Sequence, residues 1–215
     1  MKITDIYNTY RIHTGLQEHM IRVASVAKMI CDNADVELDT KNIVSASLVH
    51  DMGNLIKSDL KVFPDFFQPE GVAHWEGVKA DMIAKYGENE HRAAIAMIKE
   101  MGVSQEVRFY FEAFGHAAAT RVYEGDSLGE KIATYSDMRV GPHGIVSLKE
   151  RMNDLRKRYT AKNVPGFDPE SVNERAQMLR EIETEIFNHC RIPTDAINDK
   201  TASEVQKRLW EWEIV

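Results

Sequence analysis

The stretch SLVHDMGN, residues 47 to 54, runs an apolar segment into an adjacent His50 and Asp51 and then meets Gly53. Ile43, Val44, Ser47 and Leu48 recur upstream at helical spacing, which predicts a helix whose last turn carries the His-Asp pair near its buried side. Gly53 is placed to supply the left-handed conformation that commonly ends a helix. A half-buried carboxylate beside a histidine is costly unless something positive joins them, and a divalent metal is the simplest such partner.

Working outward, helix starts outnumber hairpin signals. Capping-box pairs fall at Thr14/Gln17, Ser127/Glu130, Ser147/Glu150 and Thr201/Glu204, and Asp168 before Pro169 is a further start. Leu16, Met20, Val23, Ala27 and Ile30 form an apolar stripe at helical spacing, while period-two alternation is nearly absent. The pattern predicts an all-α chain of roughly eight to ten helices. Two segments break it: the aromatic loop 57–72, with Phe63, Phe66 and Phe67, and the turn VGPHG at 140–144. The phenylalanines have two readings, closing over a site or filling a gap in the core.

The chain has 215 residues with a formal charge of -7, from 34 acids and 27 bases. That length favours one domain over 1–215. The acidic balance argues against general binding to nucleic acid or an anionic membrane surface. Cys31 and Cys190 form no metal-binding or disulfide pattern, which fits a reduced, cytoplasmic setting. No leader-like N-terminal segment and no apolar run of membrane-spanning length is expected. The apolar C-terminal end, Leu209 to Val215, is of the kind that docks on its own domain or on a second subunit, so a homodimer stays open.

His19 lies on the apolar stripe with Leu16 and Val23, where a lone histidine is more often a satisfied core residue. Asp137, four residues after Ala133, falls on the inward side of another predicted helix, and buried aspartates are rare without a partner. In the order EHMIRVASVAKMI, SLVHDMGN and ATYSDM, these elements resemble the His, His-Asp and Asp motifs of the HD-domain superfamily of metal-dependent phosphohydrolases. The resemblance covers about residues 14 to 140 and leaves about 145 to 215 as a C-terminal helical extension. It implies an all-α, HD-domain-like helical bundle, with His19, His50, Asp51 and Asp137 as ligands of a divalent metal (Mn, Fe, Co, Ni or Mg). Binuclear members add two histidines between the pair and the last Asp, and His91 and His116 stand at matching places. Their plainer reading is a first-turn and a helix-end histidine.

The implied activity is hydrolysis of a phosphoester, of a nucleotide or another small phosphorylated metabolite, with Asp51 in the catalytic set. Such a metal neutralises phosphoryl oxygens and makes water nucleophilic near neutral pH. Arg139, two residues after Asp137, is the leading candidate for contact with the phosphate in catalysis and binding. Arg22, Lys57, Asn54, Lys149 and Arg151 are further binding candidates, whereas Arg156, Lys157 and Arg158 read as a solvated helix face. The sequence departs from the common H-D-x-G-K form by carrying Asn54, an uncharged amide, so no subfamily's substrate transfers. Two alternatives remain: a di-iron HD-type oxygenase, which shares the six-ligand order, and a non-catalytic nucleotide-sensing module.

Overall fold

The computed structural model describes residues 1–115, 118–160 and 169–214. Among them are eleven α-helices and no strand. The count exceeds the expected range because α1 (Ile3–Thr9) and α7 (Ala119–Glu124) are short helices without a side-chain cap, and so leave no start signal. No helix among the described residues is long and apolar enough to cross a membrane.

The centre is α3 (Thr40–Val49), capped by the Asp39 side chain, which accepts from the Asn42 backbone N–H. Ile43, Val44, Ala46, Leu48 and Val49 are all fully buried, because α2 (Thr14–Asp32), α6 (Gln105–Phe111) and α8 (Leu128–Asp137) pack around this helix. Each of the larger ones, Ile43, Val44, Leu48 and Val49, contributes roughly 1.5–3 kcal/mol by leaving water. Helix α2 also carries α11 (Asp199–Leu209) on its flank. The chain's end then returns to the core, where the Trp212 indole donates to the Ser45 hydroxyl at 2.9 Å. The apolar tail up to Ile214 thus docks on its own chain, and Val215 lies outside the described residues.

Capping follows side-chain geometry more closely than the sequence pattern. Ser147 and Glu150 exchange both bonds of a capping box. Ser127 caps α8, but Glu130 pairs with Arg121 at 2.6 Å instead of reaching back. At α2 the N-cap is His13, whose Nδ1 accepts from the Leu16 N–H, and Thr14 is already helical. At α11 the cap is Asn198, with Thr201 as its capping-box partner, three residues earlier than expected. Asp168 lies outside the described residues.

Gly53 also differs from expectation. Its φ of -83° is ordinary right-handed backbone, and the chain continues into a 3-10 turn, Asn54–Ile56. The glycine is required by close approach: a Cβ there would lie 2.0 Å from the Glu90 carbonyl oxygen at the start of α5 (Glu90–Met101). The His-Asp turn is thereby wedged against a second helix.

After the turn, the chain runs through the aromatic loop and a second 3-10 turn, Pro64–Phe67, into α4 (Val72–Tyr86). Both readings of its phenylalanines hold in part. Phe67 is buried and packs on the His13 ring, whereas Phe63 and Phe66 stack on each other at 5.2 Å and border a cavity. Across that cavity's edge, the 140–144 turn is closed by Gly141 N–H donating to Gly144 at 2.8 Å, and His143 meets both phenylalanines edge-on. Two further helices, α9 (Leu148–Thr160) and α10 (Pro169–Asn188), pack on each other, and α10 also packs on α8.

Candidate metal centre

Three helices deliver the central cluster. His19 comes from the second turn of α2, His50 and Asp51 from the end of α3, and Asp137 from the last position of α8. Nε2 of His19 lies 3.3 Å from Asp137 Oδ1 and 3.6 Å from Asp51 Oδ2. Nε2 of His50 lies 3.5 Å from Asp51 Oδ2 and 3.7 Å from Asp137 Oδ1. Ligand atoms of His19, His50 and Asp51 all fall within 4.8 Å of one another.

His50 is held for a purpose other than packing. Its Nδ1 lies 2.8 Å from the Ser47 carbonyl, which can only accept, so Nδ1 carries the proton and donates. Its ring stacks on Phe114. Among the described residues, the remaining nitrogen, Nε2, is fully buried without a hydrogen-bond partner, the nearest carboxylate oxygens standing 3.5 and 3.7 Å away. An orphaned imidazole nitrogen facing two carboxylates and a second imidazole is a donor set of a kind that suits a divalent cation. The four residues therefore fit the metal that the fold implies.

The electrostatics agree. Burial alone would lower the His50 pKa, but Asp51 and Asp137 overcome it and hold the value up at about 9. Burial likewise opposes ionisation of Asp137, yet His19 and His50 keep its carboxyl well below the usual carboxylate range. Without metal, a proton on His50 compensates the carboxylates.

The cluster opens on a cavity of about 670 Å³. Asn54, Lys57 and Arg151 line it; Lys57 also pairs with Glu90 at 3.3 Å. Arg22 instead borders a neighbouring cleft of about 240 Å³ and pairs with Glu18 at 3.0 Å. Lys149 is exposed at the start of α9, away from the cavity lining.

Arg139 needs correction. It is buried, 4% exposed, and does not line the cavity. Its guanidinium donates to the carbonyls of Val146 (2.6 Å), Thr194 (3.3 Å) and Ile197 (3.0 Å) and to the Tyr135 hydroxyl (2.8 Å). It ties the end of α8 to the segment before α11, and its donors are spent on structure.

His91 is likewise not brought to the cluster. It opens α5 with a half-exposed side chain, stacks on Phe111 at 5.6 Å and lies 3.9 Å from Glu112. His116 lies outside the described residues. Of the arginines that line the cavity, two carry no binding role in the sequence reading, Arg158 on α9 and Arg175 on α10. The available signal was helical spacing, Arg151, Leu155 and Arg158 sharing one stripe and Val172, Arg175 and Leu179 another.

An all-α core that gathers two histidines and two aspartates in this chain order is of one kind with the HD domain, whose family model matches residues 16–158. The chain belongs to the HD domain family, whose members are typically metal-dependent hydrolases. No curated protein and no solved structure matches the chain.

Proposed function

We propose that this protein is a metal-dependent phosphohydrolase that cleaves a phosphoester of a small metabolite, with His19, His50, Asp51 and Asp137 holding one divalent ion. The observation that carries the reading is the orphaned, buried Nε2 of His50 beside two carboxylates at the floor of an open, ligand-sized cavity. When bound, the ion supplies Lewis acidity toward a phosphoryl oxygen and acidifies water enough for attack near neutral pH.

The chain's own residues supply the rest. The Ser47 carbonyl fixes the His50 tautomer, and Asp51 holds its carboxylate between both imidazoles. Asn54 offers an amide to a phosphate oxygen or a water, and Lys57 adds positive charge at the rim. Phe63 and Phe66 provide an apolar border that excludes water or packs on the organic part of the substrate. The position of His91 favours one ion over two, and with it hydrolysis over the di-iron oxygenase chemistry that needs six ligands.

The test is phosphate release from a panel of small phosphoesters by protein reconstituted with Mn, Co, Ni or Mg, beside Asp51→Ala. Turnover of at least one ester, lost in a folded Asp51→Ala protein, is expected. Metal binding with no ester cleaved would overturn the hydrolase reading.

A further inference from the structure

The wall of the cavity formed by α9 and α10 carries its own chemistry. Arg151 and Arg158 stand seven residues apart on α9 with Leu155 between them, and Arg175 stands on α10 between Val172 and Leu179. Each helix thus presents one arginine-bearing stripe with aliphatic neighbours to the same space. Among the described residues, no acid of either helix lines that space. Asp154, outside the lining, pairs with Arg151 at 3.4 Å and with Arg158 through both Nε (3.0 Å) and Nη2 (2.5 Å), so it orients both side chains on α9 and offsets one of their two charges.

Arg151 adds an independent sign. Its side chain is 13% exposed, and among the described residues its Nε is fully buried without a hydrogen-bond partner. Such a group costs about 1–3 kcal/mol unless something satisfies it. A planar guanidinium matches a phosphate oxygen pair in geometry as well as charge. Moreover, the family match ends at residue 158, so α10, with Arg175, lies beyond the part of the chain that defines the family.

We infer that the α9–α10 wall is a second phosphate subsite, in which Arg151, Arg158 and Arg175 hold a phosphate other than the one at the metal centre. The substrate class is then a small bisphosphorylated molecule whose spacer packs on Leu155 and Val172. This extends the phosphohydrolase reading and rests on it for the word substrate, but the anion site itself does not require turnover.

The test uses full-length Asp51→Asn protein, dialysed free of metal, titrated calorimetrically with inorganic pyrophosphate. Saturable binding of one pyrophosphate per chain is expected, weakened about tenfold by Arg175→Ala and less by Arg175→Lys. Lys157→Ala removes the same charge from the exposed face of α9 and should leave binding unchanged. Thermal melts confirm that each variant is folded. No binding to the metal-free protein, or equal losses in Arg175→Ala and Lys157→Ala, would overturn the subsite. Hydrolysis of phosphoesters without this binding would leave the enzyme reading standing and sink the subsite alone. Arg175-dependent binding without any ester cleaved would do the reverse.

Discussion

The imidazole of His50 stacks on the ring of Phe114, with centroids 4.4 Å apart and planes 23° from parallel. With Nδ1 fixed by the Ser47 carbonyl, the phenyl ring removes the remaining freedom of the imidazole. Hydrogen-bonding partners that orient a metal-ligating histidine are typically worth 10–100-fold in metal affinity, and a stacked ring that fixes the same orientation belongs at the low end of that range. Phe114→Leu, which keeps the site apolar but gives up the flat contact, should weaken metal binding by about tenfold in a competition titration with a chelating dye. An unchanged affinity would mean that the Ser47 bond orients His50 alone.

Metal binding should also release a proton. The His50 pKa, held at about 9 by Asp51 and Asp137 against the effect of burial, leaves the ring protonated at pH 7 in the metal-free protein. A ligating nitrogen must lose that proton. Affinity should therefore rise about tenfold per pH unit below pH 9 and level off above it. Calorimetry in buffers of different ionisation enthalpy should read about one proton released per ion at pH 7; no dependence on the buffer would show that His50 is already neutral.

Arg139 should behave as a structural residue. Its removal leaves the carbonyls of Ile197 and Val146 without their donor and also strips a partner from Tyr135, whose hydroxyl in turn donates to Glu183 on α10. With about 1–3 kcal/mol for each buried group left unsatisfied, Arg139→Ala should lose on the order of 3 kcal/mol in urea unfolding. Whatever remains folded should keep the wild-type KM. A normal stability with a raised KM would return Arg139 to the substrate.

These residues show where sequence reading succeeds and where it stops. His19, His50, Asp51 and Asp137 each stand out as a polar group on an apolar helix face, but only their order along the chain, and its resemblance to the HD motifs, names them together as ligands. Arg139 misled because proximity in sequence to Asp137 says nothing about which way a long side chain runs, and two of the three carbonyls it binds come from more than fifty residues away. His91 had the right order, but its ring goes to Phe111. The run Arg156, Lys157 and Arg158 reads in sequence as one solvated face, whereas helical geometry divides it, leaving Arg156 and Lys157 outside and turning Arg158 to the cavity. Gly53 was identified as necessary for the wrong reason, since only the approach of α5 reveals the constraint.

That constraint is measurable. The atom nearest an added Cβ at Gly53 is a backbone carbonyl oxygen, with the Ala94 amide nitrogen at 3.1 Å, so no flexible side chain can give way. Gly53→Ala should cost about 3 kcal/mol, the upper end for overpacking, and should weaken metal binding because Asp51 and Asn54 flank the displaced turn. A loss below about 1 kcal/mol would mean that α5 shifts freely and is not the wedge that fixes the His-Asp turn.

His13 provides a pH dependence separate from the metal ligands. Burial lowers its pKa to about 4, outweighing a hydrogen bond that the ring donates to the Phe66 backbone, and its neutral Nδ1 caps α2 while the ring packs between Phe67 and Trp75. The unfolded chain titrates this group near 6.5. Between those values the unfolded state binds more protons, so stability is fully present above pH 6.5 and falls as the pH drops toward 4. The contribution at stake is on the order of 3 kcal/mol. Because the cap and the aromatic loop share this ring, acid should loosen the start of α2 and the cavity's border together. His13→Asn keeps a cap acceptor but cannot titrate. Its urea midpoint should therefore change less than the wild type's between pH 6.5 and 4, although it starts lower for lack of the ring contacts. Parallel slopes in the two proteins would show that His13 is solvated and titrates normally in the fold.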